Sequence, residues 1–171
     1  MRSRQSAVKP ARGIANSALL RPARRSDIAT LCAIEQRAFA HDRLSARSFV
    51  RFLRSPRAAL IVAQTEGIVS GYALTLFRRG SRVARLYSIA VDAGTAGRSL
   101  GSRLLRAAEA IALRRRAKAM RLEVKPSNRR ARALYRKFGY RAVGELYDYY
   151  QDGGPALRLE KEFGGATARA P

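Results

Sequence analysis

Residues 121–140, RLEVKPSNRRARALYRKFGY, decide the fold. Met120, Leu122 and Val124 alternate with Arg121, Glu123 and Lys125, the two-residue period of a strand with one buried face. After Pro126 the period changes. Ala131, Leu134, Tyr135 and Phe138 recur at helical spacing, and Gly139 follows where a helix can end in a left-handed residue. A strand bearing one acid, Glu123, therefore runs into a helix bearing Asn128 and, two turns later, Tyr135. A carboxylate, an amide and a phenol come together. That set can deprotonate an amine, orient a thioester and reprotonate a leaving thiolate.

Upstream, Leu100, Leu104, Leu105, Ala108, Ile111 and Ala112 repeat with a helical period, and Arg114–Arg116 end that helix where cations suit its dipole. A strand over 83–91 feeds it through a turn bearing Gly97, Arg98, Ser99, Leu100, Gly101 and Ser102. Such a turn presents free backbone N–H groups to an anion, and Arg98 and Arg103 add charge. Alone this signal is weak. It is neither a Walker motif nor a dinucleotide fingerprint, because the required lysine and glycine spacing are missing.

Further out, strands are expected over 18–23, 59–65 and 70–77. Helices are expected behind Ser26 as N-cap and over 45–54, where Pro56 stops the second. Two closing strands, 141–148 and 156–163, flank a loop rich in Tyr, Asp and Gly. The order β-α-α-β-β-β-α-β-α-β-β predicts an α/β (α+β) fold. Its sheet is mixed and mostly antiparallel, with helices on both faces and a central β-α-β crossover. One domain over 18–163 is expected, with a basic arm at 1–17 and a tail at 164–171.

Composition narrows the function classes. No apolar run reaches the ~20 residues that span a bilayer, so no membrane role is expected. One cysteine, Cys32, forbids an internal disulfide and fits a reducing compartment, the cytoplasm. With a single histidine as well, no metal site is expected. The 35 basic residues outnumber the 12 acids, for a net charge of +23. A GC-rich genome accounts for the choice of Arg over Lys, not for the shortage of acids. A field this positive attracts polyanions, either a phosphorylated cofactor or RNA. The arm lacks the apolar core of a secretory signal, while an Arg-rich transit peptide shares its composition.

Five segments in order, IEQRAF (34–39), YSIAV (87–91), GRSLGSRLL (97–105), LEVKPSNRRARALYRKFGY (122–140) and DYYQDGGPALRLEKEF (148–163), resemble the GNAT superfamily of acetyl-CoA-dependent N-acetyltransferases. Among its branches the chain is most similar to the RimI-like enzymes, which acetylate the N-terminal amine of a ribosomal protein. The resemblance implies a GNAT fold with acetyl-CoA as co-substrate. Ile89, Ala90 and Val91 would pair with pantetheine like an added strand. The amides of Gly97, Arg98, Ser99, Leu100, Gly101 and Ser102 would cradle the pyrophosphate, and Asn128 would contact the cofactor. Glu123 would be the general base and Tyr135 the general acid. Ala96 and Ser99 depart from the family loop: Ala96 offers phosphate no side-chain donor, and Ser99, which could cap the helix, replaces a glycine.

Other readings stand beside these. Glu123 could pair with a neighbouring Arg, and Tyr135 could be a packed aromatic. His41 reads as a solvated loop residue and Cys32 as core. Tyr147, Tyr149 and Tyr150 could line the acceptor mouth or cover a sheet edge. Three functions fit: acetylation of a protein N-terminus, possible near ribosomal RNA; acetylation of a small amine; or a non-catalytic RNA-binding or acetyl-CoA-sensing module.

Overall fold

The computed structural model describes residues 18–93 and 99–164. Strands β1 (Leu19–Pro22), β2 (Ala58–Thr65), β3 (Ile68–Leu76), β4 (Val83–Val91), β5 (Ala119–Val124), β6 (Arg141–Leu146) and β7 (Ala156–Glu162) form one sheet in the order β1-β2-β3-β4-β5-β7-β6. Helices α1 (Ile28–Ala38), α2 (Ala46–Arg54), α3 (Leu100–Arg114) and α4 (Arg129–Lys137) complete the expected succession. All strand pairs are antiparallel except β4–β5, the pair joined through α3.

Period-two alternation divides the core. Leu60 and Val62 of β2 pack with Leu31, Ile34 and Phe49 of α1 and α2, while Ile61 and Ala63 pack with Leu104 and Leu105 of α3. Helices thus cover both faces. Met120, Leu122 and Val124 join the α3/α4 side with Tyr135 and Tyr140. Glu123, out of phase with them, projects to the other face.

Two local features shape β4. Leu74 lies opposite Ser88 while Thr75 lies opposite Leu86, so Tyr87 is an extra residue in a bulge. The bulge resets the alternation: Leu86 and Ile89, three apart, both reach the α3 side. Beyond it the backbones of β3 and β4 come close. A Cβ on Gly71 would stand 2.9 Å from the Ala90 carbonyl oxygen and 3.1 Å from Leu104 Cδ1, so only glycine fits.

The caps differ in part from expectation. Ser45, expected as the first residue of the second helix, instead caps α2, accepting from the Ser48 N–H at 3.2 Å, while Gly139 has the expected left-handed φ of +89° after α4. Ser26 does not cap α1. A 3-10 turn, Arg25–Asp27, precedes that helix, and the Asp27 carboxylate takes the Arg24 N–H at 2.7 Å and both Arg21 guanidinium nitrogens at 2.8 and 2.9 Å. A carboxylate makes charge-assisted bonds that a serine hydroxyl cannot match. Among the described residues no helix is long and apolar enough to cross a membrane. The arm at 1–17 and residues 165–171 of the tail lie outside the described residues.

Candidate active site

The parallel pair opens into a wedge. β4 and β5 pair only from Val83–Ala119 to Arg85–Arg121; past that point β4 stays bonded to β3 through Val91. One edge of Ile89, Ala90 and Val91 is therefore left without a strand neighbour and faces the opening. α3 starts beside it at Leu100. The N–H groups of Leu100, Gly101 and Ser102 precede the first intrahelical acceptor and point out of the helix toward an anion's position. Gly101 leaves room there, its nearest neighbours being Leu134 at 3.7 Å and Val91 at 3.9 Å from a built Cβ. The strand edge offers unpaired backbone groups and the helix N-terminus unpaired N–H groups, a donor set suited to an amide-bearing chain that ends in phosphate.

Ser99 occupies the N-cap position, but its hydroxyl makes no cap hydrogen bond; with φ near −106° and ψ near −5° it lacks the extended backbone that aims a cap side chain. Its carbonyl accepts from the Arg103 N–H at 3.0 Å. The Arg103 guanidinium, expected to add charge at the loop, donates instead to the Ala18 carbonyl at the start of the sheet. Ala96, Gly97 and Arg98 lie outside the described residues. Arg37 at the end of α1 holds Asp92, just after β4, at 2.6 Å, and so anchors the strand's exit toward the loop.

Glu123 is nearly enclosed, with its side chain 5% exposed. Its Oε2 accepts from Arg85 Nε at 2.9 Å and its Oε1 from Arg158 Nε at 3.1 Å. Its neighbours along the strand are engaged elsewhere: Arg121 with Glu160 at 2.7 Å and Lys125 with Asp152 at 2.5 Å. Arg85 also donates to the Tyr149 hydroxyl and lies over the Tyr87 ring. Lys125 lies 4.7 Å from the Tyr150 ring centroid. The three tyrosines of the β6–β7 loop therefore divide: Tyr149 and Tyr150 sit at the mouth, whereas Tyr147 is 79% exposed. The Gln151 N–H donates to Asp42 at 3.1 Å, tying this loop to the α1–α2 loop where exposed His41 lies.

Tyr135 approaches from the opposite face. It is buried, and its ring meets Tyr140 edge-on at 5.7 Å. Burial, and after it the nearby Tyr150 hydroxyl, raise its pKa above the ordinary tyrosine value. The Tyr150 pKa is pushed up to about 12 by burial first, then by Tyr149 and Glu123. Tyr150 is thus within electrostatic reach of both Glu123 and Tyr135. Asn128 is the N-cap of α4, its Oδ1 accepting from the Ala131 N–H at 3.0 Å.

Sequence reasoning missed two sets of residues. Arg85 and Arg158, the carboxylate's partners, are one. The other is a buried chain in which the Tyr72 hydroxyl donates to Glu35 and lies 2.7 Å from Ser88 Oγ. Glu35 also accepts from the Leu44 N–H at 2.6 Å, and burial raises its pKa. This chain fastens α1 to β4 behind the bulge. Its sequence signal was a lone acid beside Leu31 and Ile34 on an apolar face. Cys32 is half-buried on the same helix, and burial raises its thiol pKa, which suits packing rather than attack. No group of metal-ligating side chains is formed among the described residues.

Residues 26–140 match the Acetyltransferase (GNAT) family. A Bacillus subtilis (strain 168) protein named for ribosomal protein bS18-alanine N-acetyltransferase activity is 31% identical over 80% of this chain and 89% of its own. N-alpha-acetyltransferase RimI of Mycobacterium tuberculosis is 34% identical over 68% of this chain and 74% of its own. The crystal structure of the ribosomal-protein-S18-alanine N-acetyltransferase from Escherichia coli superposes with a TM-score of 0.76 at 25% identity, covering 90% of this chain and 99% of that one.

Proposed function

The chain belongs to the acetyltransferase (GNAT) family and is an acetyl-CoA-dependent N-acetyltransferase, and we propose that its acceptor is a protein N-terminal α-amine, that of a ribosomal protein beginning with alanine. The observation that carries the reading is the β4–β5 wedge, with the α3 N-terminus on one side and Glu123, just past the last β4–β5 pair, enclosed between Arg85 and Arg158. The names of the relatives supply the acceptor class. The site's charge supports it. Arg85 and Arg158 beside Glu123 would repel a polycationic small amine, while a peptide brings a single α-amine and backbone groups for the loop tyrosines.

Acetyl-CoA supplies the activated acyl group as a thioester. Ile89, Ala90 and Val91 offer backbone groups to its pantetheine arm as a sheet edge offers them to an added strand. The amides of Gly97, Arg98, Ser99, Leu100, Gly101 and Ser102 take the pyrophosphate. The Asn128 oxygen is engaged by the α4 cap, so its amide nitrogen is the group left to contact the cofactor.

Glu123 is the general base. Each of its oxygens spends one lone pair on a guanidinium and keeps another, so a water held there relays the amine proton to it. The same guanidiniums disfavour the ammonium form of an approaching amine and so favour the neutral nucleophile. Tyr135 is the general acid. Burial holds its phenol protonated, ready to give a proton to the leaving thiolate, whose conjugate acid has a pKa of ~8.5. The reaction belongs in the cytoplasm, where ribosomes are assembled.

The test is acetyl-CoA turnover, read as free thiol, with a peptide beginning in Ala, with polyamines and with free amino acids. Thiol release with the peptide and not with polyamines is expected. Faster turnover of a polyamine or an amino acid would replace this reading with small-amine acetylation.

A further inference from the structure

A groove of about 560 Å³ lies between α4 and the β6–β7 hairpin, outside the wedge. Its floor is aliphatic, with Leu157, Leu159 and Ala142, and its rim carries Arg129, Arg132, Arg136 and Arg141. All four arginines are exposed. Three of them share one flank of α4 at i, i+3 and i+7, spaced about 4.5 and 6 Å along the axis. This flank faces away from the cofactor side of the helix, where Leu134 meets Gly101 and Phe138 lies under Arg106. The ion pairs among the described residues involve other cations and none of these four. Among the described residues Arg132 donates to the Pro126 carbonyl, at 2.9 Å.

We propose that this groove docks the phosphate backbone of RNA. Three guanidiniums on one flank of α4, with no acid among the residues that line the groove, in a chain of net charge +23, suit a polyanion. Planar guanidiniums bind phosphate oxygens two at a time. The row tracks successive phosphates while the aliphatic floor receives the sugars. The choice of RNA over another polyanion rests on the acceptor proposed above, a protein carried on a ribonucleoprotein. Docking by this face would hold the enzyme on the particle while the wedge, on the other side of α4, stays open to the N-terminus.

The experiment measures binding of the full chain to a fluorescent ribosomal RNA hairpin across a salt series, beside a DNA hairpin of the same sequence and a polyglutamate peptide. Variant R129Q/R136Q/R141Q is compared with R47Q/R51Q/R54Q, which removes equal charge from exposed positions of α2. The α4 triple should weaken RNA binding at least about tenfold more than the α2 triple. It should also lower the slope of log affinity against log salt by about 2 to 3, since each lost phosphate contact removes about 0.7 to 0.9. The Lys triple at 129, 136 and 141 should keep most of that slope; its loss would assign the effect to misfolding and overturn the proposal. Equal weakening by the two Gln triples would overturn it too, as would DNA or polyglutamate binding as tightly as RNA. Thiol release with the Ala peptide is read in parallel. RNA loss confined to the α4 triple, in a protein that acetylates no peptide, keeps this inference and removes the acceptor assignment instead.

Discussion

Replacing Tyr135 with Phe removes one oxygen from a ring whose packing is otherwise retained. The ring is 5% exposed and meets Tyr140 edge-on at 5.7 Å, contacts that phenylalanine keeps, so the fold should lose at most about 1 kcal/mol. The chemistry should lose far more. A positioned proton donor typically contributes ~10²–10⁴-fold, about 3–5 kcal/mol of barrier. The assay is steady-state thiol release with a saturating Ala-initial peptide and varied acetyl-CoA. A kcat lower by at least ~10²-fold, with the KM for acetyl-CoA little changed, is expected. The pH profile adds a second check. The acid must be protonated to act, and its pKa is raised by burial. Activity that depends on it therefore persists as pH rises and fails only above the ordinary tyrosine value of ~10. A Tyr135→Phe enzyme with unchanged kcat, or a wild-type alkaline limb below pH ~9 that the substitution abolishes, refutes the role.

Further expectations follow from single contacts. Arg85→Gln breaks the 2.9 Å bond to Glu123 and frees Tyr149; kcat/KM for the peptide should fall about 10–100-fold, as for a lost charged hydrogen bond of ~1.5–3 kcal/mol, with cofactor binding retained by titration. Gly71→Ala forces a Cβ to 2.9 Å from the Ala90 carbonyl and should cost about 1–3 kcal/mol in denaturant unfolding. Asp27→Asn should cost about 2–3 kcal/mol at neutral pH. The Arg21 guanidinium holds the Asp27 pKa below the usual range, so the native acid's advantage is full above the unfolded value of ~3.9 and is lost as pH falls through the lower folded value. Parallel unfolding curves at neutral and low pH check the sign.

The order of elements was legible because period and punctuation agreed: alternation in 120–125, helical spacing in 131–138, and Gly139 where a left-handed residue was needed. The β4 bulge was not: it leaves Leu86 and Ile89 three apart, a spacing that apolar residues on both sides of it mask, and only the register against β3 places Tyr87 as the extra residue. The partners of Glu123 could have been read. The tripeptide Arg-Leu-Glu occurs at 121–123 and again at 158–160. Paired antiparallel, it sets Arg121 opposite Glu160 and Glu123 opposite Arg158, the register observed. Arg85 could not be foreseen, since its meeting with Glu123 depends on where the parallel pair stops. Serine is common at helix starts, but Ser26 falls inside a 3-10 turn that the Asp27 carboxylate closes on the Arg24 N–H, with two further bonds from Arg21.

The central claim is direct transfer of acetyl to an N-terminal α-amine at the end of the β4–β5 wedge. Its most direct test is fragment mass spectrometry of an Ala-initial ribosomal-protein peptide, containing internal lysines, after incubation with acetyl-CoA and the enzyme. One acetyl group on the α-amine of residue 1 is predicted, absent when that amine is blocked beforehand and strongly diminished with Glu123→Gln. Acetyl groups on the lysines, or an unmodified peptide beside rapid turnover of a small amine, would contradict it.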